Sequence, residues 1–497
     1  GYLGVQPIDS FFSFNSGYDI LNGYFPFKDY WTITGPLIDL FQAIFFKIFG
    51  VSWFSYVFHA SIFNFIFTLA TFYTFYKLKL NINYCFLYAI LLSIIAYPSA
   101  GTPYVDHQSA YISTIGIFCF ILALKTEKNF FWLLLPVIFA LAFFTKQTPS
   151  GYVFVIIASL SCIHFVFNFD IKKIKFLFLG SFISLLVFFL YLNIADIPFQ
   201  SFYEQYILFP LSLGESRLEF IFPIEFQRII GRFKLIHLSS LLLIIVAIIN
   251  LKKNYKYLMS NELLVIISLI GLIFSLIVHQ LMTINGMFIF FIIPILVGFS
   301  HIFFDKYFKK KKLILYALVT LSIVSTAYYF SKYINSRHFM DLHKGNIKNA
   351  VDAKFLDQKL NGLKWLTPQY IDDPKKEILN LKEAIEIIKN DRSKKIIITD
   401  YQFISVVLST YDHSPSKYWY RFHVNPTKNQ KYFDNYRNFF ILKIKENAIN
   451  KIYTVKPLIG FEENNVLNDI LSRDCFTKKN LTNILSSYTL RNCKDLK

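Results

Sequence analysis

The chain reads as a polytopic α-helical membrane protein followed by a small soluble α/β domain. Its 497 residues are 55% hydrophobic, include 58 phenylalanines and have a mean hydropathy of +0.43, outside the range of soluble globular chains. The apolar residues also come in runs of about 17 to 25, enough at 1.5 Å per residue to cross a hydrocarbon layer of ~30 Å.

About ten such runs can be traced, over 52–76, 82–97, 107–124, 129–145, 149–169, 176–195, 234–251, 262–282, 287–304 and 313–333. The 82–97 run is short for a span. The formal charge of +19 is not spread along a face that could hold nucleic acid; it follows the loops. Lys77 and Lys79, Lys125 and Lys128, Lys172, Lys173 and Lys175, Lys252, Lys253 and Lys256, and Lys306 with Lys309 to Lys312 occupy every second loop. By the positive-inside rule these loops face the cytoplasm. Residues 1–51, the loop near 98–106, the corner at 146–148, the long loop 196–233, the turn near 283–286 and everything after about 334 then face outward. Placing residues 1–51 outside requires a further span upstream of Gly1.

The segment 1–51 carries two short helices. In GPLIDLFQAIFFKIFG, Leu37, Leu40, Phe41, Ile44, Phe45 and Ile48 share one face, with Asp39, Gln42 and Lys47 opposite. Pro36 opens it and Gly50 ends it, the pattern of a helix lying in the interface plane. Ser10 to Asn22 reads as a second helix with Asp9 at its start and Gly23 at its end. Residues 52–335 form the membrane domain. From about 340 to 497 the apolar residues turn periodic. KKEILNLKEAIEIIKN (375–390) puts Ile378, Leu381, Ala384 or Ile385, and Ile388 on one face of a helix, while KKIIITD (394–400) and KIYTV (451–455) read as strands. Cys475 and Cys493 lie in this outward tail, either as a disulfide or as two thiols. Cys85, Cys119 and Cys162 fall within spans, as packing residues.

The order of motifs carries a resemblance. Asp9 is followed by Leu21-Asn22-Gly23, Pro26-Phe27-Lys28-Asp29, Gly35-Pro36-Leu37 and Phe49-Gly50; then come Asp106 in GTPYVDHQSAYI and Lys146 in AFFTKQTPSGY. Over roughly 7–155 this resembles GT-C superfamily membrane glycosyltransferases, in the branch of protein O-mannosyltransferases and lipid A aminoarabinose transferases. Ser10 stands where that branch usually has Glu, and Gly35-Pro36 where it often has Pro-Pro. The resemblance implies juxtamembrane helices in the first external loop, an external soluble domain, and transfer of a sugar from a polyprenyl-phosphate carrier with inversion at C1. It makes Asp9 the catalytic base. The acceptor would be a lipid, glycan or protein, in a bacterial inner membrane with the site and C-terminal domain facing the periplasm.

The chemistry of such a transfer needs a carboxylate for the acceptor proton and cations for the phosphate leaving group. Asp9, Asp29 and Asp106 fall at the outer surface, with Lys146 at the same depth. Each has a plainer reading: Asp9 and Asp106 as helix-start residues, Asp29 as a turn residue, Lys146 as a lysine snorkelling to headgroups. Arg217 in the long loop offers a bidentate grip on phosphate, or meets anionic headgroups as a surface residue. His279 near the outer end of a span is a further substrate contact to consider, while His59, His164 and His237 read as packing residues. Asp106 with His107 is the one pairing that suggests a divalent metal ion, although neighbours on a helix point apart. A transporter or flippase of lipid-linked saccharides, which would want ionisable groups at mid-membrane, and a non-enzymatic envelope assembly protein are the alternatives. No phosphate-binding glycine loop, Zn-type cluster or Ser-His-Asp signature is present.

Overall fold

A computed structural model describes residues 1–496 apart from 221–224, 284–288, 309–310, 420–423 and 459–462. The turn near 283–286 therefore lies almost wholly outside the described residues, as do Lys309 and Lys310. The chain opens with three helices, α1 (Pro7–Ser10), α2 (Phe12–Leu21) and α3 (Leu37–Phe49). The apolar helices follow as α4 (Trp53–Lys77), α5 (Ile82–Ala96), α6 (Val105–Thr126), α7 (Asn129–Thr145), α8 (Gln147–Phe167) and α9 (Ile171–Ile194). After α10 (Phe199–Tyr203) and α11 (Phe209–Arg217) come α12 (Lys234–Lys253), α13 (Asn261–Thr283), α14 (Ile292–Tyr307) and α15 (Lys312–Tyr329). Among the described residues eight helices are long and apolar enough to cross a membrane: α4, α6, α8, α9, α12, α13, and the segments Ile289–Tyr307 and Lys312–Met340 that contain α14 and α15. The other two apolar runs are helices too, but shorter: α5, as the brevity of 82–97 suggested, and α7, whose run 129–145 was expected to be a full span.

Burial orders the bundle. Helix α6 is enclosed along nearly its whole length, from Val105 to Leu124 except Ile115, whereas α9 keeps only Gly180, Phe188 and Leu192 buried. Helix α6 is thus the hub, and its first turn sits where other elements converge. Helix α9 comes close to α7 because Gly180 has no side chain: a Cβ there would stand 2.1 Å from the Leu133 carbonyl oxygen. Cys85 and Cys119 are buried as expected, but Cys162 is exposed on α8. Near the end of α7, Gly35 passes so tightly that a Cβ would fall 1.8 Å from the Phe144 carbonyl oxygen, and its N–H donates to the Thr145 carbonyl at 3.0 Å. This close backbone approach leaves no room for a side chain at Gly35.

Helix α3 keeps its apolar stripe outward, as the interface-plane pattern predicts, and divides its polar face, with Lys47 exposed. Asp39 and Gln42 are buried against the rest of the protein, while Ile44, Ile48 and Phe49 are exposed. Asp39 accepts from the Ser16 hydroxyl at 2.6 Å, and Gln42 Oε1 accepts from His59 Nδ1 at 2.9 Å. His59 Nε2 in turn takes the Gln108 amide at 2.9 Å, so its two nitrogens are satisfied in the manner of a packing histidine. A helix at a membrane boundary can turn its apolar face to lipid and keep its polar side chains paired inside. His164 and His237 are also paired, to Asn261 at 3.1 Å and to the Ile229 carbonyl at 3.0 Å. The long 196–233 segment is largely helical where described. Gln205 of this segment donates to the Phe27 carbonyl at 3.0 Å and accepts from the Thr32 N–H at 3.2 Å, holding the FPFKDYW turn.

The C-terminal region is α/β. Strands β1 (Val351–Asp352) and β2 (Lys364–Trp365) pair, and the main sheet has order β3 (Lys395–Thr399), β4 (Lys451–Val455), β6 (Leu485–Leu490), β5 (Phe476–Asn480). Both expected strands are present and run parallel to each other, with Lys395 facing Lys451 in register. A parallel pair needs a crossover, which helix α18 (Phe433–Glu446) supplies, after α16 (Pro374–Asn390) and the short α17 (Ile404–Leu408). Helix α16 buries Ile378, Leu381, Ala384, Ile385 and Ile388, the face its period predicts. Strand β5 is a lysine-bearing, exposed edge, a common protection against edge pairing. Cys475 and Cys493 are joined as a disulfide across the β5–β6 hairpin.

This region does not stand apart from residues 1–51. Phe11, Phe14, Phe46 and Trp53 share one apolar core with Trp365, Ile385, Ile397 and Phe403. The chain start also adds to the sheet edge, with the Gly4 N–H donating to the Lys364 carbonyl at 2.9 Å.

Candidate functional site

The spans alternate in direction, so the lysine-rich loops collect at one end of the bundle and Asp106, Lys146 and His279 at the other. Helix α6 starts at Val105 and presents Asp106 from its first turn, almost fully buried. Lys146 is an extended residue between α7 and α8, fixed by the Ser109 hydroxyl donating to its carbonyl at 3.2 Å. His279 comes from the last turns of α13. Both meet the same oxygen: Lys146 Nζ lies 2.6 Å and His279 Nε2 2.7 Å from Asp106 Oδ1. His279 Nδ1 lies 3.1 Å from the Thr148 hydroxyl. With Nε2 donating to the carboxylate, Nδ1 of a neutral imidazole accepts from the Thr148 hydroxyl and Nδ1 of an imidazolium donates to it, so Thr148 fixes the ring in either state. Three of the residues singled out in the sequence are therefore one hydrogen-bonded unit.

Asp9 faces this unit from α1. It caps no helix: neither α1 nor α2 has a side-chain cap, so the N-cap reading of Asp9 does not hold. Its Oδ1 accepts instead from the Tyr418 hydroxyl at 2.9 Å. Asp9 is half-buried. Burial pushes its carboxyl up to about 6, with the Tyr418 hydroxyl holding it down, Asp106 adding to the rise and Lys146 opposing it. Those mutual charge effects mean that Asp9, Asp106 and Lys146 share one electrostatic environment. Burial and the neighbouring Asp9 also raise the Tyr418 phenol well above its ordinary value, so it stays a donor. Phe12, Ile38, Val105 and Tyr418 pack together and connect the Asp9 and Asp106 sides of the site.

Tyr418 lies 409 residues from Asp9 in sequence, in a segment without a helical or strand period, and nothing local announces it. Thr148, which orients His279, was also missed; its place two residues after Lys146 is the one clue. Arg217 ends α11, half-buried, and its charge reaches His279 and Tyr152, so the long segment does bring a cation to the site. Asp29 is not brought into the unit. Its carboxylate accepts from the Phe25 N–H at 2.7 Å, closing its own turn, as the turn reading anticipates.

Asp106 and His107 do not make a metal set. Asp106 Oδ1 is occupied by Lys146 and His279, and the His107 ring packs between Tyr104 and Tyr111 with centroid distances of 5.5 and 5.9 Å. Among the described residues no three His, Cys, Asp or Glu side chains are placed to hold a metal ion. Comparison of the sequence with protein-family models and with curated proteins gives no match.

Proposed function

We propose that the protein is an integral-membrane glycosyltransferase that moves a sugar from a polyprenyl-phosphate carrier to an acceptor at the end of the bundle bearing Asp9, with Asp9 as general base. The observation that supports it best is the convergence, at one end of the spans, of a half-buried carboxylate with a raised pKa and a buried Lys–Asp–His unit. Asp106 has its Oδ1 occupied by two donors and serves as an anchor. Among the described residues Asp9 has one side-chain donor, the Tyr418 hydroxyl on Oδ1, and Oδ2 is the oxygen that would take the proton.

In the reaction, the acceptor hydroxyl passes its proton to Asp9 as its oxygen attacks C1 of the sugar. The bond from C1 to the phosphate oxygen breaks, and the polyprenyl phosphate leaves with the electron pair. Lys146 and Arg217 supply positive charge on that side, and His279 keeps Asp106 and Lys146 in register. Attack opposite the leaving group inverts C1. The lysine-rich loops at the far end set the orientation, which puts the site and the C-terminal domain on the periplasmic side of a bacterial inner membrane. The acceptor class is a lipid, glycan or protein nucleophile.

The test uses the purified full chain in lipid with radiolabelled polyprenyl-phosphate sugars. Transfer should fall by about 10²- to 10⁴-fold in Asp9→Asn, the range lost with a general base. Transfer that survives unchanged removes Asp9 from this role, and no turnover of any carrier by the wild type removes the enzyme reading.

A further inference from the structure

At the end of the bundle opposite Asp9 lies a cavity of about 670 Å³ between the ends of α4, α6, α13 and α14. Along α6, the 19 residues from Asp106 to Lys125 rise ~28 Å at 1.5 Å each, close to the thickness of a hydrocarbon layer. The cavity thus opens at the other membrane boundary. Its rim carries four lysines, Lys77, Lys79, Lys125 and Lys306, against two carboxylates, Glu262 and Asp305.

The carboxylates are already engaged. Glu262 pairs with Lys306, stands 3.8 Å from Lys125 and accepts from the Tyr307 hydroxyl at 2.7 Å, while Asp305 lies 3.7 Å from His301. Among the described residues Lys77 and Lys79 have no carboxylate partner; Lys77 lies over the Tyr73 ring at 5.4 Å. Below this rim the walls are apolar, with Leu80, Ile121, Val265, Phe299 and Phe303 all buried. The cavity is therefore cationic at its mouth and hydrocarbon-like at its floor. A surface lysine that merely follows the positive-inside rule needs neither a concavity nor an apolar floor.

We propose that this cavity binds an anionic phospholipid: the phosphate headgroup between Lys77, Lys79 and Lys125, and the start of an acyl chain against Val265 and Phe303. Glu262 holds Lys125 and Lys306 at the rim without cancelling the other two lysines. This occupant matches both the charge and the apolar wall, whereas inorganic phosphate would use the charge alone. The site is independent of the sugar-transfer reading, since it lies at the far end of α6 and its test measures no turnover.

The test is native mass spectrometry of the full chain, released from detergent with phosphatidylglycerol or phosphatidylcholine added, and with inorganic phosphate as competitor. Phosphatidylglycerol should be retained at least about tenfold better, and each lysine removed should weaken it about fivefold. Lys77→Gln, Lys79→Gln and Lys125→Gln combined should abolish the preference. The same three-charge removal at Lys172, Lys173 and Lys175, which do not line the cavity, should leave it intact. Ile302→Trp, which fills the cavity with every charge retained, should also abolish it, and this guards against a folding effect in the lysine variant. Equal loss in both lysine triples, no preference for the anionic lipid, or displacement of the lipid by millimolar inorganic phosphate would each overturn the proposal.

Discussion

Asp9 and Asp106 are two carboxylates at the same end of one bundle, and their hydrogen bonds give them different work. Asp106 carries Lys146 and His279 on a single oxygen, whereas Asp9 has the Tyr418 hydroxyl. Burial raises Asp9 to about 6, so the native state binds a proton that the unfolded chain releases near 3.8, and stability falls as pH rises between those values. For transfer the sign is opposite, because the base must be ionised. Below a pH of about 6 we expect kcat/KM to drop ~tenfold per unit, and a flat profile from pH 5 to 8 would exclude Asp9 as the base. Tyr418→Phe removes a contact that stabilises the carboxylate, so the acid limb should move upward, by up to ~1 unit. A fall in rate without movement of the limb would mean that Tyr418 only positions the segment.

Among the elements, α16 was legible because its apolar period is local and its opposite face is exposed, and β3 and β4 because they are short β-branched runs, buried over four of their five residues. The spans were legible for a simpler reason, their length. Helix α3 was legible as an interfacial helix with its apolar stripe outward; that Asp39 and Gln42 are paired inside the protein was not, because their partners Ser16 and His59 lie on other elements. This makes Asp39 a buried acid. Burial pushes it up to about 7, opposed by the hydroxyls of Ser16 and Ser13. A raised acid stabilises the protein when protonated and costs stability as pH climbs from 3.8 to about 7. Asp39→Asn keeps an acceptor for Ser16 and removes that cost, so it should stabilise by roughly 4 kcal/mol at pH 8 and by less than half of that at pH 5. Thermal unfolding at the two pH values measures this, and equal effects at both would show that the carboxylate is not desolvated as described.

At the scale of the molecule, the site is assembled from residues that no window of sequence contains together. Asp9, Asp106 and Lys146 could be grouped because membrane topology sorts loops by side, but Tyr418 reaches Asp9 only because the C-terminal region folds back onto residues 1–51. That return is secured by a buried ion cluster: Lys417 Nζ lies 2.9 Å from Asp19 on α2 and 2.6 Å from Asp412. Burial works against the ammonium, and the two carboxylates more than offset it, holding Lys417 above the ordinary lysine range. The rings of Tyr30 and Tyr411 flank it at 5.5 and 4.8 Å. Because Lys417 immediately precedes Tyr418, the same cluster that joins the two regions also sets the donor to Asp9. Lys417→Met leaves two buried carboxylates without their cation, a loss of about 3–5 kcal/mol. The C-terminal region should then become open to limited proteolysis at pH 8, with transfer activity reduced in parallel. At pH 5 protonation of the stranded carboxylates should restore much of the protection. Wild-type resistance at pH 8 would show that the shared apolar core around Phe11 and Trp365 suffices to hold the two regions together.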